Sequence, residues 1–158
     1  VSMDSHRIVV GVEGSGYALA ALIWAIQEAE VRNSLVEVVT VYCPTFVSAS
    51  PDLGYVPLDS FDLLNEVENT QSEVIESALA ATNNPDIEIR RTVVKGRAAD
   101  TLLKVAKGAD LLVVGNRGRG GFSGLRLGSV SQSISHHSPC PLVIVRTGLN
   151  EEIGNSGE

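Results

Sequence analysis

The stretch Leu111-Leu-Val-Val-Gly-Asn-Arg-Gly-Arg-Gly-Gly-Phe-Ser-Gly-Leu-Arg-Leu-Gly-Ser129 decides the fold. Leu111 to Val114 is apolar without polar alternation, as in a strand buried on both faces. Gly115 to Gly128 then carries six glycines, three arginines (Arg117, Arg119, Arg126) and Ser123. A polar helix is predicted from about Ser129 to His137, where Pro139-Cys-Pro141 ends it, and Leu142-Val-Ile-Val145 is another buried strand. Strand, glycine-rich loop, helix, strand is the repeating unit of a parallel sheet.

Upstream the same unit recurs. Arg7-Ile-Val-Val-Gly11 reads as a buried strand, and Gly11-Val-Glu-Gly-Ser-Gly16 as the turn after it, with Ser15 placed to cap a helix. Leu19, Leu22, Ile23 and Ile26 then recur at helical spacing, and Trp24 among them reads as core. Val36 to Tyr42 is a second strand. Pro44 to Pro57, with three prolines, reads as a long loop. Asp59-Ser60 caps a helix with Leu63, Val67, Val74, Ala78 and Leu79 on one face, stopped by Asn83-Asn84-Pro85. Ile87, Ile89 and Val93 mark a third strand, and a short helix follows from about Ala98 to Lys107 with Leu102, Leu103, Val105 and Ala106 inward.

Five apolar strands separated by helices predict a doubly wound, open α/β sheet of parallel strands with helices on both faces. Such sheets bind ligands beyond the carboxyl ends of the strands, where the strand order reverses. The loops Gly11–Gly16 and Gly115–Gly128 stand at such ends.

The 158 residues, 44% hydrophobic and 20% charged, fit one globular domain, expected over residues 7–146. Residues 1–6 read as an N-terminal extension and residues 147–158 as a flexible acidic tail. The longest apolar run, Tyr17 to Ile26, is ten residues, against roughly 20 for a membrane span. No secretory pattern opens the chain, and two cysteines, Cys43 and Cys140, build no disulfide framework, so a cytoplasmic protein is expected. Both cysteines read as buried small hydrophobes. His136-His137 beside Cys140 lacks further partners at metal-ligand spacing and reads as a helix C-terminus.

Charge is segregated. Residues 1–89 carry 14 acidic and two basic side chains, residues 90–147 ten basic and two acidic. Either the second half meets something anionic, or the two halves attract each other in the fold. The net charge of -7 argues against a general nucleic-acid binder.

The glycine loop has the chemistry of a phosphate cradle. Glycine lets backbone N–H groups approach an anion, and a helix beginning near Ser129 points its positive dipole end at it. No Gly-Lys pair exists, so a G-x-x-x-x-G-K-[ST] loop is excluded. The G-x-G-x-x-G fingerprint fails at Leu19 after Gly14 and Gly16, and at Ser123 after Gly118 and Gly120.

What remains is Gly115-x2-Gly118-x9-Gly128-Ser129. This spacing resembles the nucleotide-binding signature of the ATP-binding universal stress proteins. Ile8-Val-Val-Gly-Val-Glu-Gly-Ser15, Gly108-Ala-Asp-Leu-Leu-Val-Val-Gly115 and His136-His-Ser-Pro-Cys-Pro141 resemble further blocks of that family, so the resemblance covers residues 7 to 146. It implies the strand order 3-2-1-4-5, with ATP across the ends of strands 1 and 4. It sets Gly115, Gly118, Gly128, Ser129, Val130 and Ser131 around the phosphates and the Val41 backbone at the adenine edge. Gly11, Val12 and Glu13 form the first turn, with Glu13 facing the ribose or a Mg²⁺ on the phosphates. The family usually has Asp there, and Glu is one methylene longer. Arg117 and Arg119 can pair with phosphate oxygens or stand in solvent. A homodimer through Leu142–Val145 is also implied.

For catalysis the sequence offers one carboxylate, Glu13, and no nucleophile with an adjacent base. The expected function is therefore a regulatory ATP-binding module of the cytoplasmic stress response. Slow ATP hydrolysis or phosphotransfer on the same scaffold is the alternative.

Overall fold

A computed structural model describes residues 6–12, 16–43, 46–50, 54–57, 60–84, 86–116 and 128–146. Four helices and seven strands alternate along these residues: β1 (Arg7–Gly11), α1 (Gly16–Arg32), β2 (Leu35–Tyr42), β3 (Phe46–Ser50), β4 (Gly54–Pro57), α2 (Ser60–Thr82), β5 (Ile89–Lys95), α3 (Ala98–Val105), β6 (Leu111–Gly115), α4 (Ser129–His137) and β7 (Leu142–Val145). Five strands form one sheet in the order β5-β2-β1-β6-β7, every pair parallel. Counted within that sheet this is the expected order 3-2-1-4-5.

The central strands are buried on both faces, which is why they read as unbroken apolar runs. Alternation sorts their side chains. Ile8, Val10, Val36, Val38 and Val113 pack with α1 and α2 around Leu22, Ile26 and Ala78. Val9, Val39, Leu112 and Val114 pack on the opposite face with Leu102 and Ala106 of α3 and Ile134 of α4. Trp24 is half-buried against the first of these clusters. Asn33 and Asn83 turn the chain after α1 and α2 with φ of 59° and 51°, the left-handed conformation asparagine tolerates at helix ends.

Three expectations change. The segment from Pro44 to Pro57 is not one loop, since β3 and β4 pair antiparallel across it, with an irregular register between Ser48 and Ser50. Strands this short give too few alternations to outweigh three prolines, and Pro57 falls at a strand end, where a missing N–H costs little. Cys43 is exposed and Cys140 half-buried, so neither is a core residue. Cys43 follows the last residue of β2, where the strand leaves the sheet. The α3 helix stops at Val105, and Gly108, with φ 79°, carries the turn into β6. Ser15, Asp59, Pro85 and the two terminal segments 1–5 and 147–158 lie outside the described residues.

Candidate functional site

The helices α1 and α2 cover one face of the sheet, and α3 and α4 the other. The chain therefore leaves β1 toward one face and β6, its neighbour, toward the opposite face. Between the carboxyl ends of these two strands the crossovers diverge and a crevice opens. A cleft of about 570 Å³, a volume that includes open solvent at its mouth, fills that place. Gly11 and Val12 of the first turn, Val39 and Val41 of β2, and Val114 and Gly115 of β6 form its floor. Ala98 and Leu102 of α3, Ala18 of α1, and Val130 and Ser131 of α4 form its walls.

Backbone bonds hold the floor. The Val12 N–H donates to the Val39 carbonyl at 2.8 Å, which extends the β1–β2 pairing past the strand end. Gly11 sits against α3, where a Cβ would lie 2.9 Å from Leu102 Cδ1. While Leu102 keeps its present position, only a glycine fits there.

At the other end α4 begins. Its first helical bond runs from the Gln132 N–H to the Gly128 carbonyl at 2.9 Å. The N–H groups of Ser129, Val130 and Ser131 precede that bond and have no acceptor within the helix. Gly128, the N-cap, has no side chain to offer them. The helix start is tied down by two contacts to β6 and its end: the Gly128 N–H donates to Asn116 O at 2.9 Å, and Ser131 Oγ to Gly115 O at 2.7 Å. Ser131 is 4% exposed. Its hydroxyl proton is thus donated to the scaffold.

Of the residues singled out from the sequence, Gly11, Val12, Val41, Gly115, Val130 and Ser131 meet in this one cleft. Gly128 and Ser129 stand at its α4 end, as N-cap and first helical residue, without lining it. Glu13, Arg117, Gly118 and Arg119, with Ser123 and Arg126, lie outside the described residues. The sequence reading missed Ala18, Val39, Ala98, Leu102 and Val114. Period-two spacing from Val41 would have found Val39, and the four-residue spacing of Ala98 and Leu102 puts them on one helix face. His136 and His137 are exposed in the last turn of α4. Among the described residues no three His, Cys, Asp or Glu side chains group as metal ligands, and no helix is long and apolar enough to cross a membrane.

An open, doubly wound parallel sheet with a cleft at its switch point defines the structural class. The chain belongs to the universal stress protein family, whose model matches residues 5–146. It is 31% identical over 146 residues to universal stress protein YxiE of Bacillus subtilis, covering 89% of this chain and 99% of that protein. It is 32% identical over 143 residues to universal stress protein Rv1996 of Mycobacterium tuberculosis, covering 88% of this chain but only 43% of that one. The chain therefore spans less than half the length of the mycobacterial relative. Among solved structures it resembles a universal stress protein in complex with cAMP, with TM-score 0.69, 30% identity, and coverage of 90% of this chain and 98% of that one.

Proposed function

We propose that the chain is a regulatory module that binds ATP across the carboxyl ends of β1 and β6. The observation that carries this reading is the pairing of two unlike ends in one cleft. One end is apolar, built from Val39, Val41, Ala98 and Leu102, and suits a purine ring. The other is the start of α4, with three N–H donors and the positive end of a helix dipole, and suits phosphates. The related protein solved with cAMP carries an adenine nucleotide, which supports the same ligand class here.

In this reading the Val41 backbone reads the adenine edge, and Gly115, Gly118, Gly128 and the N–H groups of Ser129 to Ser131 hold the phosphates. Glu13 faces the ribose or a Mg²⁺ ion on the phosphates. Arg117 and Arg119 extend the anion site. The bound nucleotide is the signal of a cytoplasmic stress response. A homodimer through the exposed edge of β7 belongs to the same proposal. Leu142 to Val145 are all only half-buried in the single chain, and an apolar edge invites pairing with a copy of itself.

Calorimetric titration with ATP, ADP, AMP and cAMP, with and without Mg²⁺, tests the reading. ATP binding without measurable release of ADP or phosphate is the expected result, weakened at least about tenfold in Gly11→Val, whose branched side chain drives Leu102 into the cleft. Steady turnover would bring the hydrolytic alternative forward. Failure of every adenine nucleotide to bind, once co-purified ligand is excluded by mass spectrometry, overturns the proposal. Light scattering at tens of micromolar tests the dimer, and a monomer there would refute it.

A further inference from the structure

The connection from β5 to α3 passes the apolar end of the cleft. The Gly96 N–H donates to the Tyr42 carbonyl at 2.9 Å, which draws this connection across the carboxyl end of β2. Only glycine fits there, because φ is 157° and a Cβ would lie 2.5 Å from the Thr101 hydroxyl. The turn sets Ala98 into the same cleft as Val41 and Leu102. Arg97, immediately before Ala98, becomes the N-cap of α3 and is exposed.

Arginine is a poor choice for that position on folding grounds. Helix N-caps favour Ser, Thr, Asp and Asn, whose oxygens accept from the first N–H groups. A cation there also meets the positive end of the helix dipole. Arg97 makes no side-chain cap bond. Its guanidinium has no ion-pair or hydrogen-bond partner among the described residues. It stands one residue from Ala98, which lines the cleft, without itself being one of the lining residues. A guanidinium is planar, weakly hydrated for a cation, and stacks on aromatic and nucleobase faces.

We infer that Arg97 is a specificity-determining residue of this cleft, its guanidinium laid over the open face of the bound base. The inference rests on the reading of the cleft as a nucleotide site and adds what selects the base. The phosphates lie toward α4, so Arg97 acts on the nucleoside part of the ligand. A planar cation favours the large, electron-rich face of a purine over a pyrimidine.

The test is calorimetry on the unsubstituted chain and on Arg97→Ala and Arg97→Lys, with adenosine, ATP and CTP at low and high salt. Arg97→Ala is expected to weaken adenosine and ATP by the same factor, roughly 3- to 30-fold, with little salt dependence of the loss. Preference for ATP over CTP should narrow with it. Arg97→Lys restores less than half of the loss on a logarithmic scale, because an ammonium has no plane to stack. Thermal melts of both variants should match the parent, since the side chain is exposed. If the parent binds and Arg97→Ala binds adenosine equally well, the inference is wrong. If ATP alone loses affinity, in a salt-sensitive way, Arg97 serves the phosphates and the inference is wrong as well. If the parent itself binds no adenine compound, the underlying reading fails and takes this one with it.

Discussion

The Arg7 guanidinium lies 2.8 Å from the carboxylate of Glu37, joining the first residue of β1 to the third residue of β2. The glutamate is 5% exposed. Arg7 also donates to the carbonyls of Val105 at 3.2 Å and Lys107 at 2.9 Å, and its own N–H donates to Asp110 at 2.7 Å. One side chain thus closes the carboxyl end of α3 and ties it to two strands. This cluster sits at the amino ends of the strands, the end opposite the cleft. Glu37→Ala leaves a half-buried cation without its counter-ion and is expected to cost about 2–4 kcal/mol in urea unfolding. The double variant Arg7→Met/Glu37→Met should recover much of that loss. Nucleotide affinity of the folded fraction should be unaffected by either.

Cys140 supplies a pH dependence. Burial pushes its thiol above the ordinary 9.0, with the Ser138 hydroxyl and Arg7 pulling the other way and Asp110 adding to the rise. The folded state therefore holds this proton more tightly than the unfolded one. Its contribution to stability is complete below about pH 9 and is lost as pH rises through the folded value. Unfolding free energy should fall more steeply above about pH 9 in the parent than in Cys140→Ala. Peptide mapping after brief iodoacetamide treatment at about pH 8 should find Cys43, which is exposed, labelled before Cys140.

Gly96→Ala places a Cβ 2.5 Å from Thr101 Oγ1. It should destabilise the chain by about 1–3 kcal/mol, and Thr101→Ala in the same chain should return part of that. A double-mutant cycle in thermal unfolding measures the coupling. An additive result would show that the backbone conformation, and not the contact, requires glycine.

Ser131→Ala removes the 2.7 Å bond that ties α4 to Gly115. Expected is a loss of about 1 kcal/mol in stability. On the proposed function, ATP affinity should also fall severalfold, because the donors at the start of α4 lose their anchor. Calorimetry beside a thermal melt separates the two effects, and Ser131→Thr should retain both if its hydroxyl reaches the same carbonyl.

Much of this was legible in the sequence. The apolar runs at Ile8–Val10 and Leu111–Val114 mark strands covered on both faces, since only such strands can dispense with polar alternation. The helix start at Ser129 was legible from composition. The order of strands was not: it came from the resemblance to a family, because local periodicity records burial and says nothing of which strand lies beside which. The β3–β4 hairpin was hidden by its prolines, and the exposure of Cys43 by an apolar strand that ends one residue earlier.

The sequence by itself determined the elements, the parallel class of the sheet and the loops at which a ligand would sit, because helix and strand periods and glycine placement are local physical signals. Only the tertiary structure decided that Ala98 and Leu102 line the cleft, and that the Ser131 hydroxyl is bonded to the Gly115 carbonyl. Those are relations between elements far apart in the chain, set by how α3 and α4 dock on one face of the sheet, and docking is decided by the whole core at once.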